Sequence, residues 1–455
     1  MSNPKFVPSV IIVGAGLSGL LLGTLLERIN IPYQIFERAT VIRPLGSVMT
    51  LGANILPVFE QLGLLGELEK ISLPCPSIEI YNGERQKLGN INLSNNMSIS
   101  GYESLMFARP RLYEVLLKQV PSSKINLGKK VLRTEEKEGK VTIHCSDGSS
   151  YMGDLLIGAD GAYSGVRQSL YKRLNEKGLL PNEDQENLTV GFVSMVGIAD
   201  AQDTEKFPIL KDDFCNYFKI LGDDNKGCNI FTIPNGQIGW SMSLQLNEEE
   251  AKIQQFRNSE WSPESNEAML KEFEDMACPW GGTLGDLFAL TPKHLISKVF
   301  LEEKMFTTWY HGRTVLLGDA CHKMLPAAGL GAVNAMQDAV VLANCLYNMV
   351  DASEEKITEA FKDYCTQRFE RSHAQIKYSA AMSTIINGQT MKQKVIRHLF
   401  LSYIPEWMLK KNIEKSLAYR PQIAWMPMVE SRGTGQVLPQ EGKRFGDNNE
   451  FAKEI

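Results

Sequence analysis

Three stretches of this 455-residue chain set a carboxylate and glycines where a short apolar run passes into a helix pattern. In the first, Val10–Val13 leads into GAGLSG and then LLLGTLLERIN, so Gly14, Gly16 and Gly19 fall as G-x-G-x-x-G between strand and helix. That spacing gives a tight turn, a close approach of backbone to a pyrophosphate, and a helix packed hard on the sheet. Glu37 ends the next apolar run (YQIF), about 20 residues on, where an acid takes a ribose hydroxyl. Arg38 beside it either lies over the adenine side or is solvated. The second stretch, DLLIGADGAYSGVRQSL, puts Asp160 at another strand-to-helix junction, with Gly158 and Gly161 in the turn and Ser164 as N-cap. The third, TVLLGDACHKMLPAAGLGAVNAMQDA, sets Asp319 at a strand end and Gly331 and Ala332 at the start of a long apolar helix. Free N–H groups and the positive dipole end of such a helix receive an electron-rich group. Arg109 opens a helix with Pro110 in its first turn, and either reaches the same ligand or is a surface charge.

These residues need a frame. The length predicts two or three domains, and 43% hydrophobic with 22% charged residues is a globular composition. A formal charge of −5 gives no reason to expect a nucleic-acid partner. The eight cysteines are scattered without a CxxC pair and do not cluster with the six histidines. No metal site is expected, and a reducing, cytoplasmic setting is. Val10–Leu26 is apolar enough for a signal peptide, but it is glycine-rich and lacks a basic flank and cleavage site.

Residues 74–100 read as short strands with turns at Asn82-Gly83 and Gly89-Asn90. Residues 189–245 are β-rich, with turns at Asp224-Asn225 and Asn235-Gly236, and predict an antiparallel sheet that the 74–100 strands complete. Residues 248–276 and 354–383 read as helices. The tail holds VIRHLFLSYIPEWMLK and RPQIAWMPM, whose apolar runs are short and broken at Pro405, so it cannot span a bilayer. Packing over the domain interface is favoured over lying on a membrane, because the basic face is weak. Residues 440–455 are polar and expected to be loose.

In this order, GAGLSG with Glu37, GADGAYSGVR (158–167) and GDACHKMLPAAGLG (318–331) resemble the fingerprints of the single-component (group A) flavoprotein monooxygenases. The resemblance covers roughly residues 8–385 and is nearest the fungal secondary-metabolism and salicylate-hydroxylase-like branch. It implies an α/β fold: a Rossmann-like FAD-binding domain with an inserted β-sheet substrate domain, as in p-hydroxybenzoate hydroxylase, and a helical C-terminal segment. The expected division is 1–73, 101–185 and 290–390 for the FAD-binding domain, 74–100 and 186–289 for the substrate domain, and 391–455 for the helical segment and tail. Gly14, Gly16, Gly19 and Glu37 would hold the AMP half of FAD, with Arg38 beside it. Thr50 and Arg109 would lie near the flavin, Asp319 on the ribityl chain, and the N–H groups at Gly331 and Ala332 on the pyrimidine. Asp160 belongs to a motif linked to both FAD and NAD(P)H. The negative charge of a reduced flavin would gain about 0.3–1 kcal/mol from that helix end, and up to ~2 if partly buried. Many members carry Asn where this chain has Val333, with Asn334 next.

The expected function is an FAD-dependent monooxygenase that uses NAD(P)H and O2 to hydroxylate or epoxidise a largely apolar organic substrate: terpenoid, polyketide or indole-like, or aromatic. Phe192, Tyr217, Phe231 and Trp240 supply apolar positions, and no cluster of basic residues for a carboxylate is visible. Tyr217 is the one candidate catalytic residue. His322 is expected to make a structural hydrogen bond. A flavin-dependent halogenase is the alternative, although its Trp-x-Trp-x-Ile-Pro signature is absent: only Ile233-Pro234 occurs, with Trp240 after it. A non-catalytic flavoprotein acting as a redox or interaction module is a third reading. Substrate identity, NADH against NADPH, and oligomeric state are left open by the sequence.

Overall fold

The computed structural model of the chain describes residues 7–42, 46–186, 188–222, 226–246, 263–387, 390–403 and 405–441. The expected turn at Asp224-Asn225, the first part of the helix expected from 248, and the tail beyond 441 lie outside the described residues.

Val10–Val13 is the centre of a six-stranded sheet, with Tyr33–Phe36 parallel on one side and Leu155–Gly158 parallel on the other. Ile125–Asn126 lies beyond the first and Thr314–Leu316 beyond the second, both parallel, and Tyr310–His311 closes that edge antiparallel. The strands VIIV, LLIG and TVL are buried throughout. Strands covered on both faces read as continuous apolar runs, which is why these were visible in the sequence. The register is level: Val13 sits opposite Phe36 and Gly158, and Gly158 opposite Leu316. Gly14, Glu37, Asp160 and Asp319 therefore all emerge at the carboxyl edge of one parallel sheet. The strand order reverses at Val10–Val13, and such a switch point is where open α/β sheets bind ligands.

The second layer is an eight-stranded sheet in the order His322–Lys323, Ser297–Met305, Thr189–Asp200, Gln237–Gln245, Lys226–Ile233, Tyr217–Leu221, Ser77–Asn82, Lys87–Asn92. Of the 74–100 stretch, Ser77–Asn82 and Lys87–Asn92 join it, while Pro74 pairs elsewhere and Asn95–Ser100 is helical. Two expectations need correction. The sheet is mixed, because Tyr217–Leu221 runs parallel to Ser77–Asn82 with Tyr217 opposite Ile78. Ser297–Met305 pairs with Thr189–Asp200 and so belongs to this sheet, whereas a boundary at 289 would leave it with the cofactor half. Both depend on which distant strand a segment meets, and no local pattern carries that.

The pleat sorts the side chains. Phe218, Ile220, Ile230, Trp240 and Met242 pack under Met269, Phe273, Leu284 and Leu287 on the outer face. Tyr217, Phe231 and Ile233 face the cofactor half, against Met106, Ala108 and Val48 of a small sheet formed by Val48–Leu51, Leu105–Ala108 and Leu73–Pro74. At Gly239 an added Cβ would lie 2.1 Å from Val48 Cγ2, so only glycine lets the two layers close there.

Helices Glu354–Asn387, Met391–Tyr403 and Glu406–Leu417 follow. Met382 and Leu401 pack on Ile80, which roofs the space between the layers. The expected helical character stops at Leu417. Residues 418–441 form an extended strap, where Pro421 and Pro427 block a helix and side chains take the backbone bonds. Ile423 N donates to Gln61 Oε1 at 2.8 Å, and Ala424 N to Asn344 Oδ1 at 2.9 Å. Among the described residues no helix is long and apolar enough to cross a membrane.

Candidate cofactor and substrate site

The three glycines of the first loop do different work. Gly14 has φ +107°, and a Cβ on it would sit 2.3 Å from Ala159 O. One on Gly19 would sit 2.1 Å from Gly14 O. A Cβ on Gly16 meets nothing within 4 Å. Packing within the chain requires the first and third glycines, while the second opens onto space wide enough for a ligand backbone. Glu37 is pinned beside this loop, accepting from Ala15 N through Oε2 and from Ala39 N through Oε1, both at 2.9 Å. Arg38 is exposed.

Asp160 Oδ2 accepts from Gly165 N at 2.7 Å and Val166 N at 3.2 Å, capping helix Gly165–Glu176. Ser164 Oγ accepts from Arg167 N at 2.9 Å, the expected N-cap bond. The other oxygen, Asp160 Oδ1, is buried without a partner in the chain. Burial pushes this carboxyl above its ordinary range, against Ser164 and the helix N–H groups. An orphaned acceptor at a sheet's carboxyl edge fits a ligand hydroxyl. Replacing Asp160 with Ala is expected to cost about 0.5–2 kcal/mol through the lost cap. It should also weaken FAD retention, read by denaturant unfolding of the apoprotein and by flavin titration.

Arg167 closes the GADGAYSGVR motif, whose spacing does not say what the arginine bonds. Its buried guanidinium donates to Ala320 O at 2.8 Å and Ala162 O at 2.6 Å, with Phe306 4.0 Å from its charge centre. It thereby locks the Asp160 loop to the Asp319 loop. Lys323 Nζ donates to Asp319 Oδ2 at 2.6 Å. Arg109 lies deep in the fold yet is accessible to solvent, as a side chain lining a cleft is, and Asp319 is the opposing charge that acts on it most.

Helix Gly331–Asn348 opens without a side-chain cap, after Gly329 at φ +66°. Its first backbone bond is Asn334 N to Leu330 O at 2.9 Å, which leaves the N–H groups of Gly331, Ala332 and Val333 without acceptors among the described residues. Asn334 does not stand in for a site amide. It is buried, with Oδ1 accepting from Arg368 at 2.8 Å.

Behind this helix is an ionic network that the sequence did not reveal. Asp338 accepts from Gly318 N (2.9 Å) and Arg368 Nε (2.7 Å), and bonds His322 Nε2 (2.5 Å). All three side chains are buried. His322 thus makes a structural bond, as expected. Cys321, His322 and Asp338 come close enough to suggest metal ligands. The carboxylate, however, is already saturated by a guanidinium, an amide and the ring, and Cys321 Sγ is engaged with Gly318 O. A cation would have to displace a positive charge. Arg368 escaped notice because it lies on another helix, at no motif spacing.

Thr50 Oγ1 lies 3.3 Å from Met106 Sδ, and Met106 packs in the cluster that holds Tyr217. The Tyr217 ring stands 4.4 Å from that of Phe231. Burial, with the Cys75, Cys215 and Cys228 thiols adding to it, keeps the phenol protonated, so it donates rather than acts as a base. Trp240 does not share this face; its Nε1 donates to Thr291 Oγ1 at 2.9 Å in the outer core. Lys219 lies on the same face as Tyr217, and the buried Arg397 of the roofing helix acts on it electrostatically.

The FAD binding domain family model matches residues 8–375. The FAD-dependent monooxygenase nvfK of Aspergillus novofumigatus is 28% identical over 84% of this chain and 81% of its own length. The FAD-dependent monooxygenase ausM of Penicillium brasilianum is 28% identical over 93% and 88%. Among solved structures, Klebsiella pneumoniae HpxO complexed with FAD and uric acid superimposes with a TM-score of 0.73 at 22% identity, over 91% of this chain and 97% of that one. The open Gly16 approach, the orphaned Asp160 oxygen and the uncapped helix start fit FAD, and with the family match they make this chain a member of the single-component FAD-dependent monooxygenases.

Proposed function

We propose that this FAD- and NAD(P)H-dependent monooxygenase hydroxylates or epoxidises a largely apolar organic substrate held between the eight-stranded sheet and the cofactor half. The observation that carries the reading is the convergence of Gly14, Glu37, Asp160 and Asp319 on one sheet edge, with an apolar sheet face opposite. Bound FAD supplies electron acceptance from NAD(P)H and the activation of O2. Gly14, Gly16, Gly19 and Glu37 hold the nucleotide half; Asp319 and Arg109 take the ribityl and flavin end, near Thr50. The N–H groups at Gly331 and Ala332, free of acceptors among the described residues, would face the ring and favour negative charge there. Met382 and Leu401 pack on Ile80 at one side of this space, where the protein's contribution is positioning.

Purified protein should carry FAD, oxidise NADH or NADPH, and take up O2 faster when an apolar substrate of the terpenoid, polyketide or indole class is added. FAD-replete protein without reductase activity toward either nicotinamide would overturn the reading in favour of a non-catalytic flavoprotein. Tyr217→Phe, which removes only the hydroxyl, is expected to lower substrate-stimulated turnover about 10-fold or more, within the usual range for a positioned proton donor. Full turnover in that variant removes Tyr217 from the chemistry.

A further inference from the structure

We propose that Lys219, with Asn229, Ser241 and Arg397, forms an anion-recognising subsite in the substrate cleft, so that the substrate is an apolar molecule bearing one anionic oxygen group, a carboxylate or an acidic enol. The proposal rests on the monooxygenase reading and narrows its substrate class.

Lys219 follows Tyr217 by two positions and so shares its face of the pleat. Asn229 lies opposite Lys219, and Ser241 opposite Asn229. Lys219 Nζ is 3.4 Å from Asn229 Oδ1, the Tyr217 hydroxyl is 3.4 Å from the same oxygen, and Asn229 Nδ2 donates to Ser241 Oγ at 3.0 Å. A row of polar groups thus crosses an otherwise apolar sheet face. Above it lies helix Met391–Tyr403. Leu401 of that helix packs on Gly89 and on Ile80, and Ile80 is the strand neighbour of Lys219. Arg397, one turn earlier, is buried, and its charge reaches Lys219.

Among the described residues no carboxylate pairs with Lys219. Lys219 is half-buried, and holding its ammonium there carries a desolvation cost that apolar packing does not offset. An anionic ligand removes that cost. Burial lowers the Lys219 ammonium to about 8, with the Cys228 thiol opposing and Arg397 adding to the fall. At neutral pH it is still about nine-tenths protonated, so it offers three donors to an anion.

The test uses FAD-loaded protein and reads perturbation of the flavin absorbance as probe is added, which does not depend on turnover. Dodecanoate carries the anion, 2-dodecyl-1,3-cyclohexanedione carries it as an enolate, and methyl dodecanoate is the neutral control. One or both anions should bind at least about 10-fold more tightly than the ester, and which does identifies the headgroup. That preference should vanish in Lys219→Met, persist in Lys219→Arg, and weaken in Arg397→Gln. In the unaltered protein it should fade as pH rises above 8, because neutral Lys219 cannot pair with an anion, and this arm needs no variant to fold. Equal affinity for acid and ester, failure of all three to bind, or a preference that survives Lys219→Met overturns the proposal. Absence of FAD binding or of NAD(P)H oxidation sinks the parent reading instead, and the two failures are read separately.

Discussion

Gly16→Ala is expected to fold, and as apoprotein to melt like the unaltered apoprotein, yet purify nearly free of FAD, while Gly14→Ala is expected to lose stability outright. Gly16 has φ −73°, which alanine adopts freely, and its added methyl meets nothing within 4 Å. The apoprotein should therefore change by no more than about 0.5 kcal/mol. The methyl instead occupies the approach of the pyrophosphate, and at least a 10-fold loss of FAD affinity, about 1.4 kcal/mol, should follow. At Gly14 the same methyl is driven into Ala159 O and the backbone sits at φ +107°. The conformational strain alone costs about 1–3 kcal/mol and the clash a comparable amount. Thermal unfolding of the apoproteins, with the 450 nm flavin absorbance per mole of protein, separates the two. If Gly16→Ala retains full FAD affinity, the open space beside it is not the cofactor's.

Asp338→Ala is expected to be among the most destabilising single substitutions in the chain. It leaves the Arg368 guanidinium and the His322 ring buried without their shared acceptor. Breaking one side of a buried pair costs about 3–5 kcal/mol, against a total stability of about 5–15 kcal/mol. Combining it with Arg368→Met should recover part of the loss, because no uncompensated charge is then buried, and a double-mutant cycle by urea unfolding measures the coupling. Additive losses would mean the network is not a unit. Burial raises the Asp338 carboxyl, but the contacts with the His322 ring and the Arg368 guanidinium more than offset that and leave it below its ordinary value. A depressed folded-state pKa contributes stability that is fully present above the unfolded value, about 3.9, and is lost as pH falls through the folded one. The acid limb of the stability curve, below about pH 4, should therefore flatten in Asp338→Asn relative to the unaltered protein.

The consequence for function is positional. Asp338 holds Gly318 N, so the network fixes the loop carrying Asp319, and Arg368 ties Asn334 at the start of the same helix. The chain carries Val333 where a side-chain amide would otherwise face the ligand. The site end of the helix therefore presents backbone groups alone, and the neighbouring amide serves the interior.

By itself the sequence determined the cofactor-binding half. Its strands are buried on both faces and read as unbroken apolar runs; its turns need glycine where a Cβ would strike backbone; its acids follow strand ends directly. Each of these requirements is local, so each leaves a mark on consecutive residues. Tertiary structure alone decided what depends on distant partners. It placed Ser297–Met305 in the large sheet and turned Tyr217–Leu221 parallel to Ser77–Asn82. It ended the helical tail in a strap whose backbone bonds go to Gln61 and Asn344. It set Arg167 between two loops and Arg368 against Asp338. It also laid helix Met391–Tyr403, which carries Arg397, on the sheet that carries Lys219. A lysine on a strand and an arginine on a helix far along the chain are each unremarkable as text. Only the packing of the helix on the sheet edge, through Leu401 on Ile80 and Gly89, brings them near each other.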